Sequence, residues 1–165
     1  METLVSHIYH SPIGQLNITA TEGCITELSF IDSENEVYSS DFENILPEVI
    51  HQCVDELIEY FAGTRRSFTV PINQEGTEFQ QKVWKGLLEI PFGKTCSYMD
   101  LSKKLGDVKA IRAVASANGK NPLWIVVPCH RVIGTDGSLT GYAGGLWRKK
   151  WLLEHETPSN QQSLF

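Results

Sequence analysis

Cysteine is scarce and scattered in this chain of 165 residues. Four are present, Cys24, Cys53, Cys96 and Cys129, and no two have the Cys-x-x-Cys spacing of common zinc sites. A reducing compartment leaves such thiols free, so no structural disulfide is expected. Cys24, Cys53 and the histidines His7, His10 and His51 are the raw material of a scattered metal site. Nothing in their spacing supports one, and no metal is expected. Long apolar runs are missing too. None approaches the ~20 residues that span a bilayer, so no membrane partner is expected. The start, Met1-Glu2-Thr3-Leu4, lacks a positive segment followed by an apolar one, so no signal peptide is evident. The expected location is the cytoplasm, or the nucleus in a eukaryotic source. With 41% hydrophobic and 21% charged residues, the composition suits a soluble globular protein. The length allows one ordinary domain or two small ones.

Overall basic charge is also absent. The net charge of −6 argues at first against a nucleic-acid partner, but its distribution reverses that. Residues 1–93 hold 15 acidic and 4 basic side chains, a net of −11. Residues 94–151 hold Lys94, Lys103, Lys104, Lys109, Arg112, Lys120, Arg131, Arg148, Lys149 and Lys150 against three aspartates, a net of +7. Such asymmetry is a footprint for a polyanion. A solvated basic face is the alternative on charge alone.

What is present reads as two domains. Val5 to Tyr9, Gln15 to Thr21 and Cys24 to Ile31 are β-rich runs joined by turns at Ser11-Pro12-Ile13-Gly14 and Thr21-Glu22-Gly23. They predict a small antiparallel sheet. Residues 33–44 are polar and acidic, a loop. Pro47 to Phe61 carries apolar residues at helical spacing and is closed by Gly63. Ser67 to Pro71 is a short strand or an extended link, and Asn73 to Gly76 is the domain connection. Domains are therefore expected at 1–75 and 76–158, with a loose tail at 159–165.

The second domain opens at Thr77, where Thr77-Glu78-Phe79-Gln80 has the form of a capping box. A helix follows to about Leu88, with Phe79, Val83, Trp84, Leu87 and Leu88 on its buried face. Ser97 caps a helix from Tyr98 to Leu105, Gly106 stops it, and Lys109 to Asn118 forms a second. Two short helices around a glycine turn predict a helix-turn-helix, whose second helix enters a DNA groove in the usual docking. An ordinary helical hairpin is the alternative. Trp147 to His155 is a final helix.

Chemistry concentrates at Pro128-Cys129-His130-Arg131-Val132. This stretch follows an apolar run, Leu123 to Val127, that reads as a buried strand. A thiolate is the reactive form of cysteine, and a neighbouring imidazole takes its proton. Alone, the pair reads more readily as a small buried, inert thiol beside a surface histidine. It occurs, however, together with Ser97-Tyr98, Arg112-Ala113-Val114, Asn118-Gly119-Lys120-Asn121-Pro122 and Gly141-Tyr142-Ala143-Gly144-Gly145.

In order and spacing, this set closely resembles the O6-alkylguanine-DNA alkyltransferases, also called methylated-DNA–protein-cysteine methyltransferases. The likeness is continuous from about Phe79 to Glu156 and weaker over residues 1–72. It implies an α+β protein, with a ribonuclease-H-like α/β domain followed by a mainly helical domain that bears the helix-turn-helix. The implied activity is repair of DNA by direct reversal. The alkyl group of O6-alkylguanine, and less readily O4-alkylthymine, moves irreversibly to one cysteine, without a cofactor and once per molecule. The implied partner is double-stranded DNA containing O6-alkylguanine, bound by a protein that is monomeric in solution and cooperative, if at all, on DNA.

The resemblance assigns roles by motif. Cys129 is the nucleophile, His130 its base through a bridging water, and Glu156 the residue that orients His130. Asn121 braces the turn. Tyr98 donates to N3 of the base and crowds the phosphate, while Arg112 fills the gap left by a flipped base. Val132, Tyr142, Ala143 and Gly144 form the pocket, with backbone near Tyr142 to Gly144 bonding O6. Trp124 is a departure, since relatives usually carry a smaller residue there. The zinc ligands of some relatives are not reproduced.

Three rivals remain in view. An alkyltransferase-like binding protein shares the fold but replaces the nucleophile, whereas Cys129 is present. A cysteine hydrolase leaves Arg112 and the basic helices without purpose. A plain DNA-binding regulator leaves Pro128-Cys129-His130-Arg131 unexplained.

Overall fold

The computed structural model describes residues 3–32 and 46–157. The expected loop at 33–44 and the expected tail at 159–165 lie outside the described residues. The chain divides into two compact units, Met1–Glu75 and Gly76–Phe165.

In the first unit, β1 (Val5–Ser11), β2 (Gly14–Ala20) and β3 (Ile25–Ile31) form an antiparallel sheet in that order. Ser11 stands opposite Gly14 across the first turn, and β2 and β3 slip register at Thr19/Ala20. Alternation drives the pairing. Leu16, Ile18 and Ala20 of β2 point to one face and are fully buried, the period-two pattern of a half-buried sheet. Ser11 Oγ fixes the first turn by accepting from Ile13 N and donating to Gly14 O. The helix α1 (Glu48–Phe61) covers the sheet with Val49, Ile50, Cys53, Leu57 and Tyr60.

The stretch from Ser67 to Pro71 is not a strand. It is an extended link that meets β3 at one parallel bridge, Ile25 with Ile72. Pro71 offers a carbonyl to Ile25 N but no N–H of its own, so a ladder cannot continue through it. The link is held from α1 instead. The buried Glu56 carboxylate accepts from Thr69 N, Val70 N and Thr69 Oγ1 at 2.9, 3.2 and 2.6 Å.

In the second unit, α2 (Glu78–Leu87) starts at a complete capping box. Thr77 N donates to Gln80 Oε1, and Gln80 N donates to Thr77 Oγ1. Val83, Trp84 and Leu87 are buried, and Trp84 Nε1 donates to Ala117 O at 2.8 Å. Phe79 and Leu88, expected on the same face, are 37% and 50% exposed. At about 100° per residue they flank the buried stripe by roughly 40° on either side.

Two short helices follow, α3 (Tyr98–Lys104), capped by Ser97 Oγ, and α4 (Ile111–Gly119). The turn between them passes Gly106 at φ +91°. The second helix begins later than expected, because Val108–Ala110 is a 3-10 turn capped by Asp107. Two strands of two residues each, β4 (Cys96–Ser97) and β5 (Val132–Ile133), pair in parallel. The last helix is α5 (Leu146–Glu156).

The run from Leu123 to Val127 is buried as expected but is not a strand. It coils in tight turns, with Val126 N bonded to Trp124 O and Val127 N to Leu123 O. Ile125 lies at φ +72°, a left-handed conformation that a β-branched residue adopts only under constraint. The constraint is Asn121. Its Oδ1 accepts from Leu123 N, and its Nδ2 donates to Leu123 O and Val127 O. Cys129–Arg131 is a 3-10 turn delivered by this coil.

Candidate active site

A cavity of about 670 Å³ opens in the second unit. Cys129 lines it together with Tyr98, Arg112, Asn118, Trp124 and Tyr142. Tyr98 and Arg112 come from the first turns of α3 and α4, so these two short helices supply one wall. The loop before α5 supplies another through Thr140, Gly141, Tyr142 and Ala143. Trp124 is pinned between them: its Nε1 donates to Asn121 O at 3.0 Å, and its ring lies 5.8 Å from that of Tyr142.

Behind Cys129 lies a buried ionic cluster. His130 Nε2 is 2.7 Å from Glu156 Oε2. Arg131 donates through Nε to Glu156 Oε1 at 2.7 Å, through Nη2 to Oε2 at 3.1 Å, and through Nη1 to Ile90 O. One carboxylate thus holds both residues that follow the cysteine. Burial alone would raise the Glu156 pKa, but His130 and Arg131 outweigh it and hold the carboxyl at about 2.

Burial pushes His130 the other way, below its ordinary value, and the neighbouring Glu156 offsets this only in part. The ring is therefore neutral near neutral pH. With Glu156 ionised, the proton sits on Nε2 and donates to the carboxylate. Nδ1 is left as a basic lone pair with no bonding partner among the described residues. Second partners set imidazole tautomers in this way.

Burial raises the Cys129 thiol to about 11, against the lowering effects of Asn121 and Lys149. The resting sulfur is thus a protonated thiol that needs a base. Burial also keeps the Tyr98 hydroxyl above its ordinary pKa, so it is a hydrogen-bond donor at any physiological pH. Among the described residues, no group of three or more His, Cys, Asp or Glu converges as a metal site.

Two family models match this chain. Residues 4–74 match the ribonuclease-like domain of 6-O-methylguanine DNA methyltransferase, and residues 78–158 match its DNA binding domain. The chain belongs to this methyltransferase family. Methylated-DNA–protein-cysteine methyltransferases from Methanosarcina acetivorans and Mycobacterium tuberculosis are 43% and 45% identical over 149 and 146 residues. These alignments cover 90% and 88% of this chain, and 96% and 88% of the relatives. The crystal structure of Mycobacterium tuberculosis OGT in complex with DNA superposes with a TM-score of 0.81 at 42% identity, over 94% of this chain and 96% of that one. The α+β class, a ribonuclease-like domain followed by a helical DNA-binding domain, is that of the methyltransferase family.

Within this methyltransferase, the structure brings Cys129, Tyr98, Arg112, Tyr142 and Ala143 to one cavity. It pairs His130, which follows Cys129 in the chain, with the buried Glu156 and sets Asn121 inside the coil that precedes the thiol. Val132 and Gly144, expected in the pocket wall, are not among the residues that line it. Both are buried, and Val132 pairs with Cys96 instead.

Sequence reasoning missed several participants. Arg131, Arg148 and Lys149 belong by sequence to the basic footprint, yet they are only 6%, 3% and 0% exposed. The exposed cations of the basic region are Lys94, Lys103, Lys104, Lys109, Arg112, Lys120 and Lys150. The only signal for Arg131 was its place beside His130. Asn118, whose Nδ2 reaches Cys129 O at 3.4 Å, was visible only within its motif.

Proposed function

We propose that this protein repairs DNA by moving the alkyl group of O6-alkylguanine to Cys129, irreversibly and once per molecule. One observation carries this reading most directly. A thiol lines a cavity of about 670 Å³, roomy enough for a base, and is followed in the chain by a neutral histidine whose tautomer is set by a buried glutamate. His130 Nδ1 accepts the thiol proton, by way of a bridging water. The sulfur attacks the alkyl carbon, the carbon–oxygen bond breaks, and its electron pair leaves with guanine. Tyr98 donates a hydrogen bond to N3 as that charge develops, the kind of placed donor that lowers such a barrier. Backbone near Tyr142 to Gly144 serves O6, and the base leaves after taking up a proton.

The partner is duplex DNA carrying O6-alkylguanine, in keeping with the DNA complex of the mycobacterial relative. The helix-turn-helix contacts the duplex, and Arg112, exposed at the cavity wall, fills the space a flipped base vacates. We extend the reading to O4-alkylthymine, to a monomer in solution that is cooperative on DNA if at all, and to a cytoplasmic location or a nuclear one in a eukaryote. Among the described residues, no helix is long and apolar enough to cross a membrane.

The test is an intact-mass measurement after incubation with a duplex holding O6-methylguanine. One methyl appears per molecule, on the peptide with Cys129. Turnover beyond one equivalent, or an unmodified cysteine, overturns the proposal. A second outcome concerns flipping. Arg112→Ala slows repair in duplex DNA by roughly tenfold or more, given that unstacking costs a few kcal/mol, and leaves reaction with free O6-benzylguanine unchanged. Equal loss on both substrates removes Arg112 from flipping.

Trp124 gives a third outcome. Its indole fills cavity wall beside Tyr142, so Trp124→Ala raises reaction with O6-benzylguanine relative to O6-methylguanine by about tenfold, the scale on which pocket volume discriminates. An unchanged ratio shows that the indole does not meet the alkyl group.

A further inference from the structure

Three consecutive cations, Arg148, Lys149 and Lys150, open α5, yet only Lys150 faces water. Lys149 is 0% exposed. A buried ammonium loses several kcal/mol of hydration, and a partner must replace it. The Nζ of Lys149 donates to two backbone carbonyls, Thr140 O at 2.8 Å and Gly141 O at 3.3 Å. Neither neutralises it. Arg148 adds a third tether, from Nη1 to Gly144 O at 3.1 Å. The first turn of α5 therefore clamps the backbone on both sides of Tyr142 and Ala143, which line the cavity.

The charge of Lys149 is also felt at the reacting sulfur. It lowers the Cys129 thiol, and a Cys129 thiolate would in turn favour the ammonium. The Lys149 charge acts on Cys129 and on His130, which also faces Glu156 and Arg131, while Tyr142 of the loop faces Cys129, Arg148 and Glu156. Glu156 is already engaged by His130 and Arg131. A thiolate is thus the anion left for Lys149 to favour.

We propose that Lys149 is a positioning residue for alkyl transfer, fastening the Thr140–Gly141 wall of the pocket and supplying the uncompensated positive charge that favours the Cys129 thiolate. This rests on Cys129 being the acceptor. Burial brings Lys149 down to about 8 against the opposing effect of Cys129, so the ammonium is the main form near neutral pH and is lost above about 8. A thiolate formed beside it retains the proton on Nζ.

The test uses the full chain with Lys149→Met, which removes the charge and both donors. Lys149→Gln keeps neutral donors, and Lys149→Arg keeps the charge. Two rates are followed against pH: carboxamidomethylation of Cys129 by iodoacetamide, and methyl transfer from an O6-methylguanine duplex. In the Met and Gln variants labelling of Cys129 below about pH 8, where Lys149 carries its charge, falls roughly tenfold, the size of a one-unit rise of the thiol. Transfer falls in parallel, the deficit shrinks as pH rises, and Lys149→Arg restores most of it. A folding failure of the Met variant leaves the Gln and Arg pair to decide.

Unchanged labelling of Cys129 below about pH 8 in Lys149→Gln overturns the proposal. So does a loss that is uniform across pH, or equal in the Gln and Arg variants, because a merely structural lysine behaves in that way. If wild-type protein accepts no methyl at all, the reading of Cys129 fails, while the labelling rates below about pH 8 still decide the role of the Lys149 charge.

Discussion

Cys129→Ser accepts no methyl group from O6-methylguanine duplex, while binding to the same duplex is retained. Serine nearly matches cysteine in volume, and the 5% exposed Cys129 side chain makes no ionic contact that the fold depends on. The loss is therefore chemical. The thiol, held at about 11 by burial, precedes in the chain a base whose Nδ1 has no partner among the described residues. An alcohol is a far weaker acid and gives His130 nothing to ionise. Where a nucleophile and base act as a unit, losing the nucleophile costs on the order of 10⁶ in rate. Labelled duplex gives the decisive count: one methyl per wild-type molecule, none on the variant, and equal binding isotherms for both. Label on the serine variant, carried by another cysteine such as Cys96, sinks the assignment. Loss of binding together with transfer leaves Cys129 as a structural residue only.

The parts of this protein that local physics controls were legible in the sequence. The Thr77–Gln80 capping box forms both of its bonds, because the residues that satisfy a helix end lie three positions apart. The sheet of β1 to β3 follows its alternating apolar positions. Tertiary constraints were not legible. The run from Leu123 to Val127 is as apolar as a buried strand, and burial alone does not separate a strand from a coil wound round one amide. Nothing local places Ile125 at φ +72°; Asn121 does, through the bonds it makes to Leu123 and Val127. β4 and β5 are two residues each, too short to show any period.

The candidate site divides in the same way. Cys129 and His130 are adjacent, so they could be read directly. Glu156 lies 26 residues from His130 and came only through the family resemblance. Lys149 read as part of a basic face, because the carbonyls that make its burial tolerable belong to a loop eight or nine residues away. A cation run states charge but not which members face water.

The Glu156 carboxylate is the centre on which both stability and chemistry turn, and Glu156→Gln separates them. The amide oxygen that replaces the carboxylate still accepts a hydrogen bond, but Arg131, only 6% exposed, is left as a buried cation without a counter-charge. Breaking a buried pair in this way costs about 3–5 kcal/mol, read by urea unfolding near neutral pH. The pH dependence fixes the cause. The folded-state pKa of Glu156 is about 2, against an ordinary value of 4.5. The unfolded chain therefore binds this proton first as pH falls. The stabilisation is complete above about 4.5, is lost progressively toward about 2, and is gone below it. The wild-type and Gln variants converge across that window, and a gap of constant size there shows that the carboxylate charge was not the source. Transfer responds separately. An amide does not force the His130 proton onto Nε2, so the population with a basic Nδ1 falls, and transfer drops by roughly 10²–10⁴, the usual weight of a positioned base. Full transfer by a folded Glu156→Gln protein would refute the coupling between Glu156 and His130.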